Sequence, residues 1–131
     1  MQFKRTSNLG DVIIPVAAVP DDGTTKEYAS KVYPAPAGSE VAEALKNAAE
    51  ETKVRYHVGM VRTTDAFYGA SDFDGIVERY QELGILSFEM ECAAVFTVAK
   101  LRGLKAGAVL GGVRNIVTEK LKFSIFSSLT L

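Results

Sequence analysis

Leu86-Ser-Phe-Glu-Met-Glu-Cys-Ala-Ala-Val-Phe-Thr-Val-Ala-Lys100 is the stretch that decides the fold. A short apolar run, Ile85 to Phe88, reads as a strand. It feeds a helix predicted over Cys92 to Arg102 and ended by Gly103. Two carboxylates, Glu89 and Glu91, stand two residues apart at the join. Residues so spaced on a strand share a face, so both could look into one pocket. Ionised carboxylates are rarely buried without partners, and ligands of open α/β sheets bind at the carboxyl ends of strands. The plainer reading puts one glutamate in a salt bridge at the surface and the other near the helix N-terminus, held by its dipole. On the pair alone the plainer reading is favoured.

Working outward, Asp11 to Val19 is a β-branched strand in which Pro15 marks a bulge or an edge. Asp21 to Thr25 is turn chemistry, and Lys26 to Tyr33 is expected to be extended. Ser39 is the expected N-cap of a helix running to about Thr52, with Val41, Ala44, Leu45 and Ala48 on one face. Val54 to Thr64 alternates as a strand and carries His57, read as an ordinary strand histidine. Phe73, Ile76, Val77 and Tyr80 stripe a helix from about Ser71 to Leu83, stopped by Gly84. Leu104 to Val113 is another apolar strand, whose Gly107 to Gly112 segment marks close backbone approach rather than a phosphate loop. Alternating strands and helices predict one α/β layered domain over residues 1–131, a mixed β-sheet flanked by helices.

Composition narrows the function. A net charge of −1, with no basic run, gives no case for nucleic acid or an anionic membrane. No apolar stretch is long enough to span a bilayer, and Met1-Gln-Phe-Lys-Arg lacks the core of a signal peptide, so the expected setting is cytoplasmic. One cysteine, Cys92, and one histidine leave neither a disulfide nor a zinc spacing, and no dinucleotide or nucleotide phosphate motif occurs.

Two further strand ends carry polar and aromatic groups. In Arg62-Thr-Thr-Asp-Ala-Phe-Tyr-Gly69, Phe67 and Tyr68 can stack a planar base while Thr63, Thr64 and Asp65 offer polar contacts. Its plainer reading makes Phe67 core and Asp65 the end of the strand. In Val113-Arg-Asn115, Arg114 can bind an anion or a base carbonyl, although a lone arginine is usually a solvated charge.

Together, Glu89-Met90-Glu91, Asp65-Ala-Phe-Tyr68 and Leu104-Lys-Ala-Gly-Ala-Val-Leu110 resemble the nucleoside phosphorylase family of uridine and hexameric-type purine nucleoside phosphorylases. Asp11-Val-Ile-Ile-Pro15 with Asp22-Gly-Thr-Thr25 resembles the family's sheet strand and following loop. The resemblance runs from about Leu9 to Thr118, roughly the second half of a family member, and so implies a truncated, partial nucleoside phosphorylase fold. It implies phosphorolysis of an N-glycosidic bond, yielding base and ribose 1-phosphate, with inorganic phosphate as co-substrate and no other cofactor. By position, Glu91 would bind the ribose hydroxyls, Met90 would pack on the sugar, Glu89 would belong to the same wall, and Phe67 would line the base site. Thr64 and Arg114 complete the expected substrate-binding set. The transition state is oxocarbenium-like, so holding the sugar and stabilising the leaving base matter more than a protein nucleophile.

Departures refine the expectation. Gly69 to Phe73 holds neither the Gln nor the Arg that uridine phosphorylases use on uracil. Arg114 stands about where the purine enzymes and nucleosidases place an aspartate, which points to a uridine-type enzyme ahead of a purine-type one. The family's phosphate loop and arginines belong to the half before Leu9, so these residues alone are expected to be inactive. The resemblance also implies a homo-oligomer, a dimer-based hexamer in the family. The rival reading is a non-catalytic fragment that keeps a ribose-binding wall, or an oligomer surface built on the apolar tail from Leu121 to Leu129. A nucleosidase using water ranks last.

Overall fold

The computed structural model describes residues 10–67, 73–111 and 127–130. Pro15 sets the geometry of the central strand. Strand β1 (Val12–Asp21) runs parallel to β3 (Tyr56–Thr64), with Pro15 opposite Gly59 and Ala17 opposite Met60. Val16 therefore bulges, and its carbonyl accepts the Ala37 N–H at 3.0 Å. The extra residue inverts the alternation of β1. Ile13 before the bulge and Ala18 after it enter the same core cluster, whereas Ile14 and Val19 pack elsewhere.

The sheet order is β4-β3-β1-β5-β6. Strand β4 (Ser87–Glu89) is parallel to β3, whereas β5 (Ala108–Gly111) is antiparallel to β1 and β6 (Ser127–Thr130) is antiparallel to β5. The free edge of β1 is divided: β5 pairs with Val12 and Ile13, and the short β2 (Ala35–Pro36) pairs with Ala17 and Ala18. The mixed sheet flanked by helices is the architecture that the alternating pattern predicted.

Helix α4 (Cys92–Leu101) packs Cys92, Ala93 and Phe96 against Ile13, Ala18, Val61, Ala108 and Leu110. Helix α2 (Ser39–Glu51) covers Ile14, and α3 (Phe73–Glu82) lies against Ile85 and Phe88. Gly84 and Gly103 follow α3 and α4 at φ +80° and +67°, left-handed turns that end a helix at no steric cost.

Several boundaries differ from expectation. Residues 23–28, expected as turn and extended chain, form helix α1 (Gly23–Tyr28); Asp22 Oδ2 caps it, accepting from the Thr25 N–H and the Thr25 hydroxyl at 2.8 Å each. Six residues are too few for an apolar stripe, so no periodicity announced it. Gly38, not Ser39, is the N-cap of α2, because its N–H donates to the Ala106 carbonyl at 2.7 Å and a Cβ there would press on that carbonyl. Strand β4 lies later than Ile85 to Phe88 and reaches Glu89, while Leu104 to Gly107 forms no strand before β5. Of the apolar tail, Leu121 to Phe126 lie outside the described residues, and the backbone of Ser128 and Leu129 pairs with that of Leu110 and Val109 as part of β6.

Candidate functional site

The parallel strands β1, β3 and β4 bring their carboxyl ends together. Asp21 is in register with Thr64, and Thr63 with Glu89. This is the pole at which an open α/β sheet presents ligand-binding groups.

Glu89 is 1% exposed. Its Oε2 accepts the N–H groups of Glu91 and Cys92 at 2.6 and 2.7 Å, and its Oε1 accepts the Thr63 hydroxyl. The carboxylate thus caps α4 from the preceding strand, where the helix dipole favours a negative charge. Burial holds its carboxyl above the ordinary glutamate range, against the opposing pull of the Thr63 hydroxyl and the Cys92 and Glu91 amides. The same burial, with Glu89 and Glu91 nearby, pushes the Cys92 thiol far up, so Cys92 is a packed, unreactive thiol.

Glu91 is placed differently. Strand β4 ends at Glu89, so the two-residue alternation does not continue, and Glu91 takes the N-cap of α4 at φ −132° and ψ −32°. Its side chain is exposed, makes no cap hydrogen bond, and accepts only the Met90 N–H at 3.2 Å among the described residues. Met90 beside it is 43% exposed. The shared-pocket reading of the pair is therefore corrected, and the plainer one is closer: the fold takes Glu89 inward to the N-terminus of α4 and leaves Glu91 at the surface.

The other predicted residues divide. The Thr64 hydroxyl turns back on the chain, donating to the Ala66 carbonyl at 3.2 Å, which shapes the turn leading to Phe67. Phe67 is half-buried against the cluster of Ile85 and Phe88. Asp65 Oδ2 accepts the Gly23 N–H at 2.9 Å and ties the β1–α1 junction to the end of β3. Tyr68 and Arg114 lie outside the described residues.

Sequence reasoning missed one cluster at this pole. Arg62 Nε lies 2.7 Å from Asp21 Oδ2, the oxygen that also accepts the Tyr80 hydroxyl at 2.6 Å. The guanidinium carbon stands 4.5 Å from the Tyr80 ring centroid and 4.8 Å from that of Phe88. An arginine in mid-strand between Val61 and Thr63 was the available signal, since a charge on a covered sheet face needs a partner. At the opposite ends of β1 and β3, His57 Nε2 meets Asp11 Oδ2 at 2.8 Å, a partner 46 residues away in sequence. Among the described residues no three His, Cys, Asp or Glu side chains converge to hold a metal, and no helix is long and apolar enough to cross a membrane.

The profile of the phosphorylase superfamily matches residues 2–123. The chain belongs to the phosphorylase superfamily. It is 40% identical over 123 residues to the uridine phosphorylase of Thermococcus kodakarensis, covering 86% of this chain and 44% of that protein. It is 36% identical over 114 residues to the guanosine phosphorylase of Halorubrum lacusprofundi, covering 87% and 46% respectively. The solved structure of uridine phosphorylase from Vibrio fischeri aligns with a TM-score of 0.75 at 36% identity, covering 79% of this chain and 43% of that one. This superfamily member thus spans about half the length of the relatives it matches, and the solved structure shares its mixed sheet and flanking helices.

Proposed function

We propose that these residues form the sugar and base wall of a nucleoside phosphorylase, uridine-type, acting with inorganic phosphate as co-substrate. One observation carries the reading: at the carboxyl ends of three parallel strands, the fold engages Glu89 completely and leaves Glu91 exposed beside Met90. An exposed carboxylate accepts two hydrogen bonds side by side, which suits the vicinal hydroxyls of a ribose. Met90 packs on the sugar, and Phe67, carried by the Thr64 turn, lines the base. Arg114 serves an anion or a base carbonyl. Glu89 acts on this wall indirectly, by holding the start of α4 and hence Glu91.

Chemically, this wall positions a sugar and offers negative charge near it, which favours a ribose becoming cationic as the base departs. Nothing in the reaction calls for a protein nucleophile, since phosphate is the attacking group. Uridine phosphorylases among the relatives support the pyrimidine assignment, and the guanosine phosphorylase relative makes a purine the alternative base. Matches that span about half of each relative support the view that the 131 residues bind without turning over. A homo-oligomer acting in the cytoplasm completes the proposal.

Titration calorimetry with uridine, guanosine and ribose tests it. Uridine binding is expected, weakened about tenfold or more by Glu91→Ala, in keeping with about 1.5–3 kcal/mol for hydrogen bonds to a charged group. Absence of nucleoside binding, or an unaffected Glu91→Ala, overturns the site. Base release from uridine and phosphate above the rate of the Glu91→Ala control overturns the expected inactivity.

A further inference from the structure

None of the side chains described in α3 is fully buried, and its half-buried Ile76, Val77 and Tyr80 lean on Ile85 and Phe88. Such a helix is held weakly by apolar contact alone. One polar tie is Tyr80, whose hydroxyl reaches Asp21 at the end of β1, a residue 59 positions away. Arg62 completes the tie: its Nε pairs with the same Asp21 oxygen, and its guanidinium carbon lies over the rings of both Tyr80 and Phe88, which meet edge to face with centroids 5.5 Å apart. Arg62 and Asp21 each keep only 15% of the side chain exposed, so the charges meet largely out of water, where a planar guanidinium is the cation best suited to pair and stack at once. Phe67, five residues after Arg62, packs on the same Phe88 cluster.

We propose that Arg62 is a positioning residue, which clamps α3 to the ends of β1, β3 and β4 and thereby holds Phe67 in place as the base wall. The inference rests on the nucleoside reading only for what Phe67 contacts; the clamp itself stands on the geometry. Arg62 touches no substrate. It acts through Asp21, Tyr80 and Phe88.

Amide hydrogen exchange and the NMR signals of the Phe67 ring test the clamp without any ligand. In Arg62→Met, which keeps the side chain's length and removes its charge, residues 75–82 are expected to exchange about tenfold faster or more, as loss of a charge-assisted bond implies. The α4 amides are expected to keep their protection, and the Phe67 ring signals to shift. Tyr80→Phe, which deletes one hydroxyl, is expected to act in the same direction with a smaller effect and serves if Arg62→Met does not fold. Arg62→Lys is expected to restore protection only in part, because an ammonium neither stacks flat nor pairs as rigidly. Uniform loosening of α3 and α4 together, or unchanged α3 exchange and Phe67 signals in both Arg62→Met and Tyr80→Phe, overturns the clamp. Uridine titration then separates the two readings. If the unaltered chain binds uridine and a loosened Arg62→Met binds it equally well, the positioning role is overturned; if the unaltered chain binds no nucleoside, the proposed function fails while exchange and ring signals still decide the clamp.

Discussion

Thr63 and Glu89 face each other across the parallel β3–β4 pair, and the Thr63 hydroxyl donates to Glu89 while accepting the Ala93 N–H at 2.8 Å. One buried hydroxyl therefore joins two strands to the first turn of α4. The same turn carries Glu91, so the geometry of the exposed carboxylate depends on a hydrogen-bond set that is itself out of contact with solvent.

Glu89→Ala is expected to destabilise the chain by about 2–3 kcal/mol, since it strips a buried charged acceptor from two helix amides and a hydroxyl. Glu91→Ala, at the surface, is expected to stay within about 0.5 kcal/mol of the unaltered chain. Urea denaturation of the two variants checks the contrast. Equal losses contradict the separate roles.

Stability should respond to pH through Glu89. Burial raises its carboxyl above the ordinary range, so the folded state holds the proton more tightly than the unfolded one. Its contribution is full below the unfolded value of about 4.3 and is lost as pH rises through the higher folded value. Relative to Glu89→Gln, the unaltered chain is therefore expected to lose stability as pH rises across that window, read from urea midpoints at a series of pH values. A difference that is flat with pH refutes this.

Asp21 works in the other sense. Burial pushes its carboxyl up, but the Tyr80 hydroxyl and the Arg62 guanidinium together bring it below the usual range. Its contribution is present above the unfolded value of about 3.9 and is lost as pH falls through the lower folded value. Asp21→Asn is expected to flatten this acid limb of the melting curve, and an unchanged acid limb counts against it.

Two glycines should differ in cost. A Cβ at Gly107 would lie 2.5 Å from Val41 Cγ1 and 3.2 Å from Leu45 Cδ1, where α2 crosses the chain. At Gly59 it would meet Leu86 Cδ1 at 2.7 Å, the far end of a flexible side chain. Gly107→Ala is expected to cost about 1–3 kcal/mol, because β-branched Val41 is stiff at χ1 and cannot swing aside cheaply, and Gly59→Ala less. Thermal melts of both variants decide the order.

Asp11 and His57, with side chains 7% and 9% exposed, form a largely buried pair at the amino ends of β1 and β3, with Arg55 Nε 3.4 Å from the same carboxylate oxygen. His57→Phe is expected to cost about 1–3 kcal/mol by leaving a buried acceptor with fewer donors. The pair lies at the pole away from Glu91, so uridine affinity is expected not to change. A loss of affinity without a loss of stability would contradict that placement.

The long amphipathic elements could be read from the chain. Val41 and Leu45 announced α2, Ile76 and Val77 announced α3, and the small apolar run after Cys92 announced α4, because a 3.6-residue stripe is a local property of sequence. Pro15 likewise signalled a bulge or an edge, and the bulge is what the structure shows, since a residue without an N–H disrupts a ladder. Helix α1 could not be read that way: a single Asp22 cap and one buried Thr25 define it, and neither is periodic. In the candidate site, the sequence placed Glu89, Glu91, Thr64 and Phe67 near strand ends but could not say which carboxylate turns inward.

By itself, then, the sequence determined the α/β pattern, the strand ends that bear polar residues and the family those residues resemble. Only the tertiary structure decided that Glu89 caps α4 while Glu91 stays in solvent, that His57 pairs with Asp11, and that Arg62 joins Asp21 to Tyr80. The physical reason is common to all three. Amphipathic periodicity is written over neighbouring residues, whereas the partner of a buried charge is set by which strands lie side by side and in what register. A one-residue slip in the register of β4 would turn Glu89 away from Thr63 and the α4 amides without altering a single local pattern.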